Sequence, residues 1–377
     1  MDLNILIAPD KFKGTLTARA AAEAIARGWQ QSRPLDRLEL LPISDGGDGF
    51  GDLVSACLGA VVRKVHTVDA AHRACEAEWW WEPNAQTAII EAARINGLAQ
   101  LPRGRYHPFE LDTFGLGAAF GAALAQGARR CLVGIGGSAT NDGGFGLARA
   151  LGWAFLNERG LVMERWTELH ALSQITFPRH ERGFDEVLVA VDVQNPLLGP
   201  TGCARVYGPQ KGLRVEDFEF AERCLGRLAD VVQIELRLDA AKEPGAGAAG
   251  GLGFGLRSFV GARLEPGFGL FARQAGLEER LKKAHLVVTG EGAIDASTLM
   301  GKGVGELAAL CRQAGVPCLG LAGEVSNAAQ AGQLFHRVYA LAPDFVTRKQ
   351  ALAEPAACLE RLAARAAGEC SQTQALV

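Results

Sequence analysis

The sequence lacks segments that would direct the chain out of the cell or into a membrane. Its first residues, MDLNILIAPDKF, show no basic stretch followed by a long apolar run and a small-residue cleavage site, so we expect no signal peptide. The longest uncharged stretch, Thr113–Ala128, is rich in glycine and alanine and is too short to cross a bilayer as a helix. We therefore expect no membrane partner.

Cysteines are present but show no pairing pattern. The nine cysteines are scattered, their number is odd, and no CxxC pair occurs among them. This arrangement argues against both a disulfide framework and a zinc site. Because buried free thiols are typical of a reducing compartment, we expect a cytoplasmic protein.

An excess of basic charge and a catalytic histidine pattern are also missing. The 39 Lys and Arg residues against 42 Asp and Glu residues give a formal net charge of −3, which disfavours nucleic acid as a partner. None of the seven histidines stands at a spacing typical of a hydrolase triad or a histidine zinc site. The sequence leaves open whether the chain forms a homo-oligomer.

The chain does have length, apolar residues and glycine. Its 377 residues, 48% of them hydrophobic and 21% charged, suffice for about two domains with buried cores. Glycine supplies 47 residues, with neither a collagen period nor a linker-like run. Such glycines are expected at turns with positive φ and where two backbones approach closely.

Short apolar runs alternate with helix-like stretches at both ends of the chain, which predicts an α/β protein. Strands are predicted over residues 3–8, 38–43, 285–289, 316–321 and 337–341. The helix after the first strand is expected to be capped by Thr15 or Thr17 and to end at Gly28. Because strands that alternate with crossover helices are parallel, both ends of the chain are expected to form one Rossmann-like sheet.

The middle of the chain follows a different pattern. Runs over 77–81 and 87–91 flank a turn-forming segment, which predicts a β-hairpin. Its three adjacent tryptophans, at positions 79–81, are interpreted as core and interface residues, with an adenine-stacking site as the alternative. We predict a second α/β domain over 71–284, inserted into a Rossmann-like domain formed by 1–70 and 285–377.

The most informative segment runs from Cys131 to Gly144. A strand leads into a glycine-rich turn, and a helix is expected near Phe145. Backbone N–H groups in such a turn bind anions, and a helix N-terminus strengthens this binding. Ser138, Thr140 and Asn141 add polar side chains. The segment also matches G-x-G-x-x-A over 134–139, but that match alone is weak evidence for a dinucleotide site.

Two other glycine motifs are less informative. Residues 245–250 match G-x-G-x-x-G but do not follow a strand, so a structural loop and a ligand loop are equally supported. A Walker A motif is absent, because Gly303 follows Gly301-Lys302 and Ala296 stands at the position of the leading glycine. A nucleotide enzyme with this sequence would not be a P-loop enzyme.

Acidic residues recur where predicted strands end. They are Asp10, Asp45, Asp48, Asp192, Glu291 and Asp295. Ligands of open α/β sheets bind at the carboxyl ends of the strands, and phosphoryl transfer needs carboxylates, a positive side chain and a base. Lysines 13, 211 and 302 stand next to glycines and are candidates for that positive charge.

Several segments in order resemble the glycerate kinase type-1 family. They are Ile7–Asp10 with Phe12–Gly14, Asp45–Gly49, Gly134–Gly144, Asp192-Val193 with Asn195–Leu197, Gly208–Gly212, Pro244–Gly253 and Thr289–Asp295. The resemblance implies a Rossmann-like domain with an inserted, swivelling α/β domain. It also implies ATP-dependent phosphorylation of D-glycerate, usually to 2-phosphoglycerate.

The chain departs from the family pattern at three places. Asp48 stands where the family usually has Glu, residues 303–308 replace a Val-Pro-x-Gly-Val-Ala stretch, and Glu324-Val325-Ser326 replaces a small uncharged loop. These differences concern the identity of the acceptor more than the kinase chemistry.

The resulting hypothesis is a cleft between the two domains that binds Mg²⁺-ATP and a small hydroxy acid. Asp192, Lys13 and Asp295 are the expected catalytic residues, with Asp192 the first choice for the base or the metal-positioning carboxylate. The expected phosphate-binding residues are Gly136, Gly137, Ser138, Thr140, Asn141 and Lys211. The expected substrate-binding residues are Asp10, Asp45, Glu291 and Lys302. Asp192 and Asp45 are the expected metal ligands.

Three alternatives remain at this point. The first is a kinase whose acceptor is a related hydroxy acid. The second is a dinucleotide-dependent oxidoreductase that uses the 134–139 turn, with Glu158 bound to the ribose. A small-molecule sensor without catalytic activity is the third, although it leaves the acidic strand ends unexplained.

Overall fold

The computed structural model describes residues 2–178, 183–299 and 303–372. Within these residues it contains thirteen strands: β1 (Asn4–Ile7), β2 (Arg37–Leu40), β3 (Val61–Val68), β4 (Ala74–Glu82), β5 (Thr87–Glu91), β6 (Arg130–Gly134), β7 (Ala154–Asn157), β8 (Leu172–Thr176), β9 (Glu186–Val191), β10 (Arg263–Pro266), β11 (Leu286–Ile294), β12 (Cys318–Val325) and β13 (Arg337–Ala340).

Helices connect most of these strands. The α-helices of the described residues are α1 (Ala18–Ser32), α2 (Phe50–Leu58), α3 (Ala93–Asn96), α4 (Leu116–Ala125), α5 (Phe145–Ala150), α6 (Cys203–Val206), α7 (Gly208–Lys211), α8 (Phe218–Glu235), α9 (Ala248–Phe259), α10 (Gly267–Gln274), α11 (Leu277–Leu281), α12 (Ala296–Leu299), α13 (Val304–Ala314), α14 (Ala328–Leu334), α15 (Arg348–Ala353) and α16 (Pro355–Gln372). Short 3-10 helices cover Leu98–Gln100, Pro108–Glu110, Trp166–Ala171 and Val215–Asp217. Within the described part of the chain, no helix has the length and apolar character needed to cross a membrane.

The chain divides by its internal contacts into two compact units. Unit 1 comprises Met1–Asp45 and Phe271–Val377, and unit 2 is the continuous stretch Gly46–Leu270 that separates them in the sequence. The boundaries expected from the sequence, after residues 70 and 284, lie further along the chain. Strand β3 belongs with unit 2 because it is hydrogen-bonded to β4.

Unit 1 is built on a five-stranded sheet in the order β13-β12-β11-β1-β2, and every pairing in it is parallel. This confirms the α/β class and the parallel Rossmann-like sheet expected from the two ends of the chain. The predicted cap of α1 is also confirmed, since Thr17 Oγ1 accepts a hydrogen bond from Ala20 N at 3.1 Å.

The predicted end of α1 at Gly28 is wrong. The helix continues to Ser32, and Gly28 lies where α1 crosses α16. A Cβ atom added at Gly28 would stand 2.0 Å from the Glu360 carbonyl oxygen, so glycine serves close helix packing there.

Unit 2 contains a six-stranded sheet in the order β10-β9-β6-β5-β4-β3. Strands β5, β6, β9 and β10 are parallel, while β4 pairs with both β3 and β5 in the antiparallel sense. The predicted hairpin is therefore confirmed as β4 and β5. A separate two-stranded sheet, β7 with β8, completes the strands of this unit among the described residues.

The C-terminal part of strand β4, which holds the three tryptophans, is buried on both faces within unit 2. Trp79 and Trp81 lie in one apolar cluster with Ile90 and Ile95. Trp80 points the other way, where a Cβ atom at Gly51 would stand only 2.1 Å from its ring. The three tryptophans are thus core residues, exposed by 2%, 2% and 7%.

Candidate active site

In unit 2 the glycine-rich segment Gly134–Gly144 starts at the end of β6 and leads into α5. Gly137, Gly143 and Gly144 have φ values of 75°, 65° and 78°, a left-handed backbone that other residues rarely adopt. The expected order of strand, turn and helix is confirmed. The helix begins only at Phe145, so the segment forms an extended loop across the end of the sheet.

Gly136 and Gly137 pack against the turn formed by residues 46–49 of the same unit. A Cβ atom at Gly136 would lie 2.6 Å from Gly47 Cα, and one at Gly137 would lie 2.0 Å from Asp48 Oδ1. At least part of the reason for glycine at these two positions is therefore packing between two loops of the protein itself.

The segment is also held by residues that sequence reasoning missed. Ala139 N donates to Asn96 O at 2.8 Å, and Leu98 N donates to Gly137 O at 2.9 Å. The stretch Asn96–Leu98, which begins at the last residue of α3, thus fixes the backbone of the turn. An Asn-Gly pair is a turn signal, but nothing in the sequence indicates which loop it contacts.

Lys211 is brought to this segment from α7, as the sequence hypothesis required. Its ammonium group donates to Ser138 Oγ at 2.9 Å and to Thr140 O at 2.7 Å. The residue is only 7% exposed, and burial lowers the pKa of Lys211 to about 8. Nearby Cys203 and Asp142 oppose that shift. A buried positive charge thus stands directly behind Ser138 and Thr140.

The side chain of Asn141 is fully buried, and neither of its amide atoms has a hydrogen-bond partner within the described residues. The Oδ1 atom of Asn96 is in the same situation, while its Nδ2 atom donates to Thr140 Oγ1 at 3.4 Å. Buried polar groups without partners are uncommon, and they are retained chiefly where a ligand or water uses them.

Asp142 ends the polar part of the segment and was not predicted as a site residue. Its Oδ2 atom accepts from Thr113 N at 2.9 Å, from Thr113 Oγ1 at 2.7 Å and from Gly146 N at 2.9 Å. Burial, followed by the charge of Asp112, raises the pKa of Asp142 to about 6. The carboxylate therefore anchors the start of α5 from inside the unit.

The second glycine motif, residues 245–250, packs against the first. Gly143 N donates to Gly250 O at 3.1 Å. A Cβ atom at Gly250 would stand 1.9 Å from the Thr140 carbonyl oxygen. Of the two interpretations left open for this motif, the structure supports the structural one.

Asp192 follows β9 and lies at the same edge of the sheet as the glycine-rich segment, because β9 and β6 are parallel and pair Ala190 with Gly134. Asp192 is exposed to solvent. Burial and then the charge of Asp192 raise the pKa of Tyr207 to about 12. The Tyr207 hydroxyl donates to Asn195 Oδ1 at 2.5 Å, which places the loop after β9 beside α7.

In unit 1 the predicted acidic residues gather at the carboxyl ends of β1, β2 and β11. Burial, and then the charge of Asp45, raise the pKa of Asp10 to about 6. Burial raises the pKa of Glu291 to about 7, although Thr298 Oγ1 donates to its carboxylate at 2.6 Å. The charges of Asp10, Asp295 and Asp45 add to that rise.

This acidic cluster lies at a switch point of the unit 1 sheet. From β1 the strand order runs to β2 on one side and to β11, β12 and β13 on the other. Such positions are where open α/β sheets bind their ligands. The structure therefore brings together four of the expected residues: Asp10, Asp45, Glu291 and Asp295.

The two remaining lysines are placed less informatively. Lys13 is exposed in the loop after β1, where its backbone nitrogen would stand 3.3 Å from a Cβ atom at Gly292. Lys302 lies outside the described residues.

The dinucleotide alternative loses its structural context. A fingerprint turn opens a helix directly, whereas residues 140–144 separate the 134–139 turn from α5. Glu158 follows β7 in an antiparallel hairpin rather than the second strand of a βαβ unit. Neither feature suits a nicotinamide dinucleotide.

Comparison with known proteins identifies a family. The model of the glycerate kinase family matches residues 5–371. A glycerate kinase from Halalkalibacterium halodurans is 37% identical over 368 residues, covering 95% of this chain and 96% of that protein. A glycerate 2-kinase from Escherichia coli is 33% identical over 328 residues, covering 86% of each.

A solved structure has the same fold. The crystal structure from Salmonella typhimurium LT2, described as a glycerate kinase 2, superposes with a TM-score of 0.84 and 31% sequence identity. The match covers 99% of both chains.

Proposed function

This chain belongs to the glycerate kinase family, and on that premise we propose that it transfers the γ-phosphoryl group of ATP to the 2-hydroxyl of D-glycerate. The product would be 2-phospho-D-glycerate. The family makes the chain a phosphotransferase, and the choice of the 2-hydroxyl is supported by the name of the E. coli relative. We place the reaction in the reducing cytoplasm, in keeping with nine free cysteines.

The observation that carries the proposal is the Lys211 ammonium group. It is buried against Ser138 and Thr140, and no carboxylate of the described residues lies within ion-pair distance of it. Burying a charge without a direct ion pair is costly, and Asp142 offsets this cost only in part, so the position favours an anion next to the segment. We assign the ATP phosphates to this segment, with Gly136, Gly137, Ser138, Thr140, Asn141 and Lys211 as their binding residues.

Two carboxylates and a lysine are assigned to the chemistry. Asp192, exposed at the end of β9, accepts the proton of the acceptor hydroxyl or positions the metal, and Asp295 is the second candidate for the base. Lys13 neutralises charge on the transferred group or holds the carboxylate of D-glycerate. Asp10, Asp45 and Glu291 accept hydrogen bonds from the substrate hydroxyls, and Lys302 is assigned to the same substrate.

The donor set fits Mg²⁺ that arrives with ATP. Mg²⁺ binds oxygen ligands and usually takes only one or two carboxylates, with phosphates and waters completing its shell. In the described part of the chain, no three His, Cys, Asp or Glu residues are arranged to hold a metal by themselves. Asp192 and Asp45 are the residues we assign to it, and the ion would neutralise charge on the phosphates.

The test is an ADP-release assay with Mg²⁺, ATP and D-glycerate, followed by phosphorus and proton NMR of the product. We expect D-glycerate-dependent ADP formation and 2-phosphoglycerate. ADP formation only with another hydroxy acid would show that D-glycerate is not the acceptor. A 3-phosphoglycerate product would show that the 3-hydroxyl is phosphorylated instead of the 2-hydroxyl. A shift in melting temperature with NADPH, without any kinase activity, would support the oxidoreductase instead.

A further inference from the structure

We propose that Thr113, which precedes α4, is a positioning residue that acts through Asp142 to hold the Ser138–Asn141 stretch ready for ATP phosphates. The inference rests on the proposed function, since it needs this stretch to bind the nucleotide. Thr113 is 0% exposed and so does not touch a ligand itself.

The Thr113 hydroxyl closes a ring of hydrogen bonds between the loop and the helix that follows it. It donates to Asp142 Oδ2 at 2.7 Å and accepts from Leu147 N at 2.9 Å. The Gly146 N atom donates to the same carboxylate oxygen at 2.9 Å. One hydroxyl therefore joins the end of the loop to the first turn of α5.

The backbone around this hydroxyl leaves little room for adjustment. A Cβ atom at Gly146 would stand 2.4 Å from Phe114 N and 2.7 Å from Thr113 N. Gly144, between Asp142 and α5, packs equally closely on Gly255, where its Cβ would lie 2.7 Å from the Cα atom. Packing therefore fixes the backbone that follows Asp142, and its hydrogen bonds set the position of the carboxylate.

The stretch is held at its other end by Lys211, which binds Ser138 and Thr140. Asn141, with its unpartnered amide, lies between the two anchors. Removing the Thr113 hydroxyl takes one of four hydrogen bonds from the Asp142 end and none from the Lys211 end, and the charges of Lys211 and Asp142 remain. The variant therefore tests the positioning of the Ser138–Asn141 stretch separately from the charges of Lys211 and Asp142.

The experiment compares Thr113→Val with the wild-type protein. Valine keeps the shape and loses the hydroxyl. We expect the Kd for a non-hydrolysable ATP analogue, measured by calorimetry, to rise about tenfold or more, the size expected for a lost hydrogen bond to a charged group. The KM for ATP should rise with it, while the KM for D-glycerate stays within about twofold. Amide exchange at Gly146 and Leu147 should become faster.

A matched control lies close by. The Thr67 hydroxyl donates to Gly115 O at 2.7 Å, near the same helix but without contact to Asp142. Thr67→Val should leave the nucleotide Kd unchanged even if it lowers the melting temperature. Thr113→Ser keeps the hydroxyl and should restore the affinity.

Equal nucleotide Kd values for wild type and Thr113→Val would overturn the inference, as would an equal loss in Thr67→Val. If Thr113→Val does not fold, Asp142→Asn serves as the second variant, and an unchanged Kd there is equally decisive. A wild-type protein that binds the analogue but ignores D-glycerate would refute the proposed acceptor and leave the Thr113 test intact. A wild-type protein that does not bind the analogue would refute both.

Discussion

In unit 2 the buried ions of the candidate site each make two or more hydrogen bonds, whereas in unit 1 Asp10 and Glu291 each accept one from the described residues and lie beside other acids. Lys211 donates to two oxygens, and Asp142 accepts from four donors. Asp10 and Glu291 have pKa values of about 6 and 7, raised by burial and by acidic neighbours.

The two units differ in how their buried charges are stabilised before a ligand binds. Unit 2 fixes its charges before a ligand arrives, which lowers the cost of ordering the loop on binding. Unit 1 holds negative charges at a cost in stability, and a bound cation or hydrogen-bond donor would relieve that cost. Sites that trade stability for function in this way are common in enzymes.

The largest expected effect comes from Asp192, and it tests which unit supplies the base. Asp192→Asn should lower kcat by about 10²–10⁴-fold, the usual contribution of a general base, with little change in melting temperature because the residue is exposed. Asp185→Asn is the matched control, since Asp185 precedes the same strand at its other end. A larger loss in Asp295→Asn than in Asp192→Asn would transfer the base to unit 1.

Lys211→Met should reduce kcat/KM for ATP by about 10²-fold, the size typical for losing one preorganised donor to a phosphoryl or oxyanion group. The wild-type value should also fall as pH rises through about 8, because burial lowers the pKa of Lys211 to about 8 and the neutral amine no longer neutralises phosphate. Measuring kcat/KM from pH 6.5 to 9.5 tests this. A profile that stays flat in the wild type would contradict the role of the ammonium.

Glu291→Gln should increase the stability of the fold at alkaline pH. Because its folded pKa of about 7 lies above the ordinary value of 4.5, the ionised form destabilises the fold increasingly as pH rises from about 4.5 through 7. At pH 8 the variant should therefore have a higher melting temperature than wild type and a free energy of unfolding larger by roughly 1–3 kcal/mol, whereas at pH 4.5 the two melting temperatures should be nearly the same. Activity should fall at the same time. A lower melting temperature at pH 8 would show that the charge is stabilised rather than repelled.

The smallest effect is expected at His72, beside the Asp142 network of unit 2. Its Nε2 atom lies 2.9 Å from Asp112 Oδ2, and the hydrogen bond to Asp112 raises the pKa of His72 above 6.5. The contribution to stability is thus complete below pH 6.5 and is lost as pH rises through the raised value.

Asparagine tolerates the left-handed φ of 57° at position 72, so His72→Asn should remove only the pH-dependent part of the free energy of unfolding. The loss should be a few tenths of a kcal/mol to about 1 kcal/mol, because the side chain is about half exposed. Urea unfolding at pH 5.5 and 8.5 measures it. The His72 pKa itself, followed by NMR, should drop in Asp112→Asn.

Local features could be predicted where the information lies within a few residues. The hairpin of β4 and β5, the Thr17 cap and the parallel strands at both ends of the chain follow from periodicity and turn residues. Gly28 shows the limit of that reasoning, because a glycine that ends a helix and one that allows two helices to cross look the same in sequence.

Candidate residues with recognisable chemistry could also be named. Lysines flanked by glycine and acids after strands are visible in the sequence, and the structure places Lys211 against Ser138 and Asp10 near Asp45. Thr113, Asp142 and Asn96 gave no such signal, because their roles arise from contacts with segments distant in the chain.

The sequence by itself determined the α/β class, the family and the kinds of group available for phosphoryl transfer, since motif order and strand periodicity are properties of neighbouring residues. Only the tertiary structure decided that Lys211 stands 2.9 Å from Ser138, which lies 73 positions earlier in the chain, and that Asp142 has its four donors. Such contacts depend on how strands and loops pack, and burial sets both their strength and the pKa values that result.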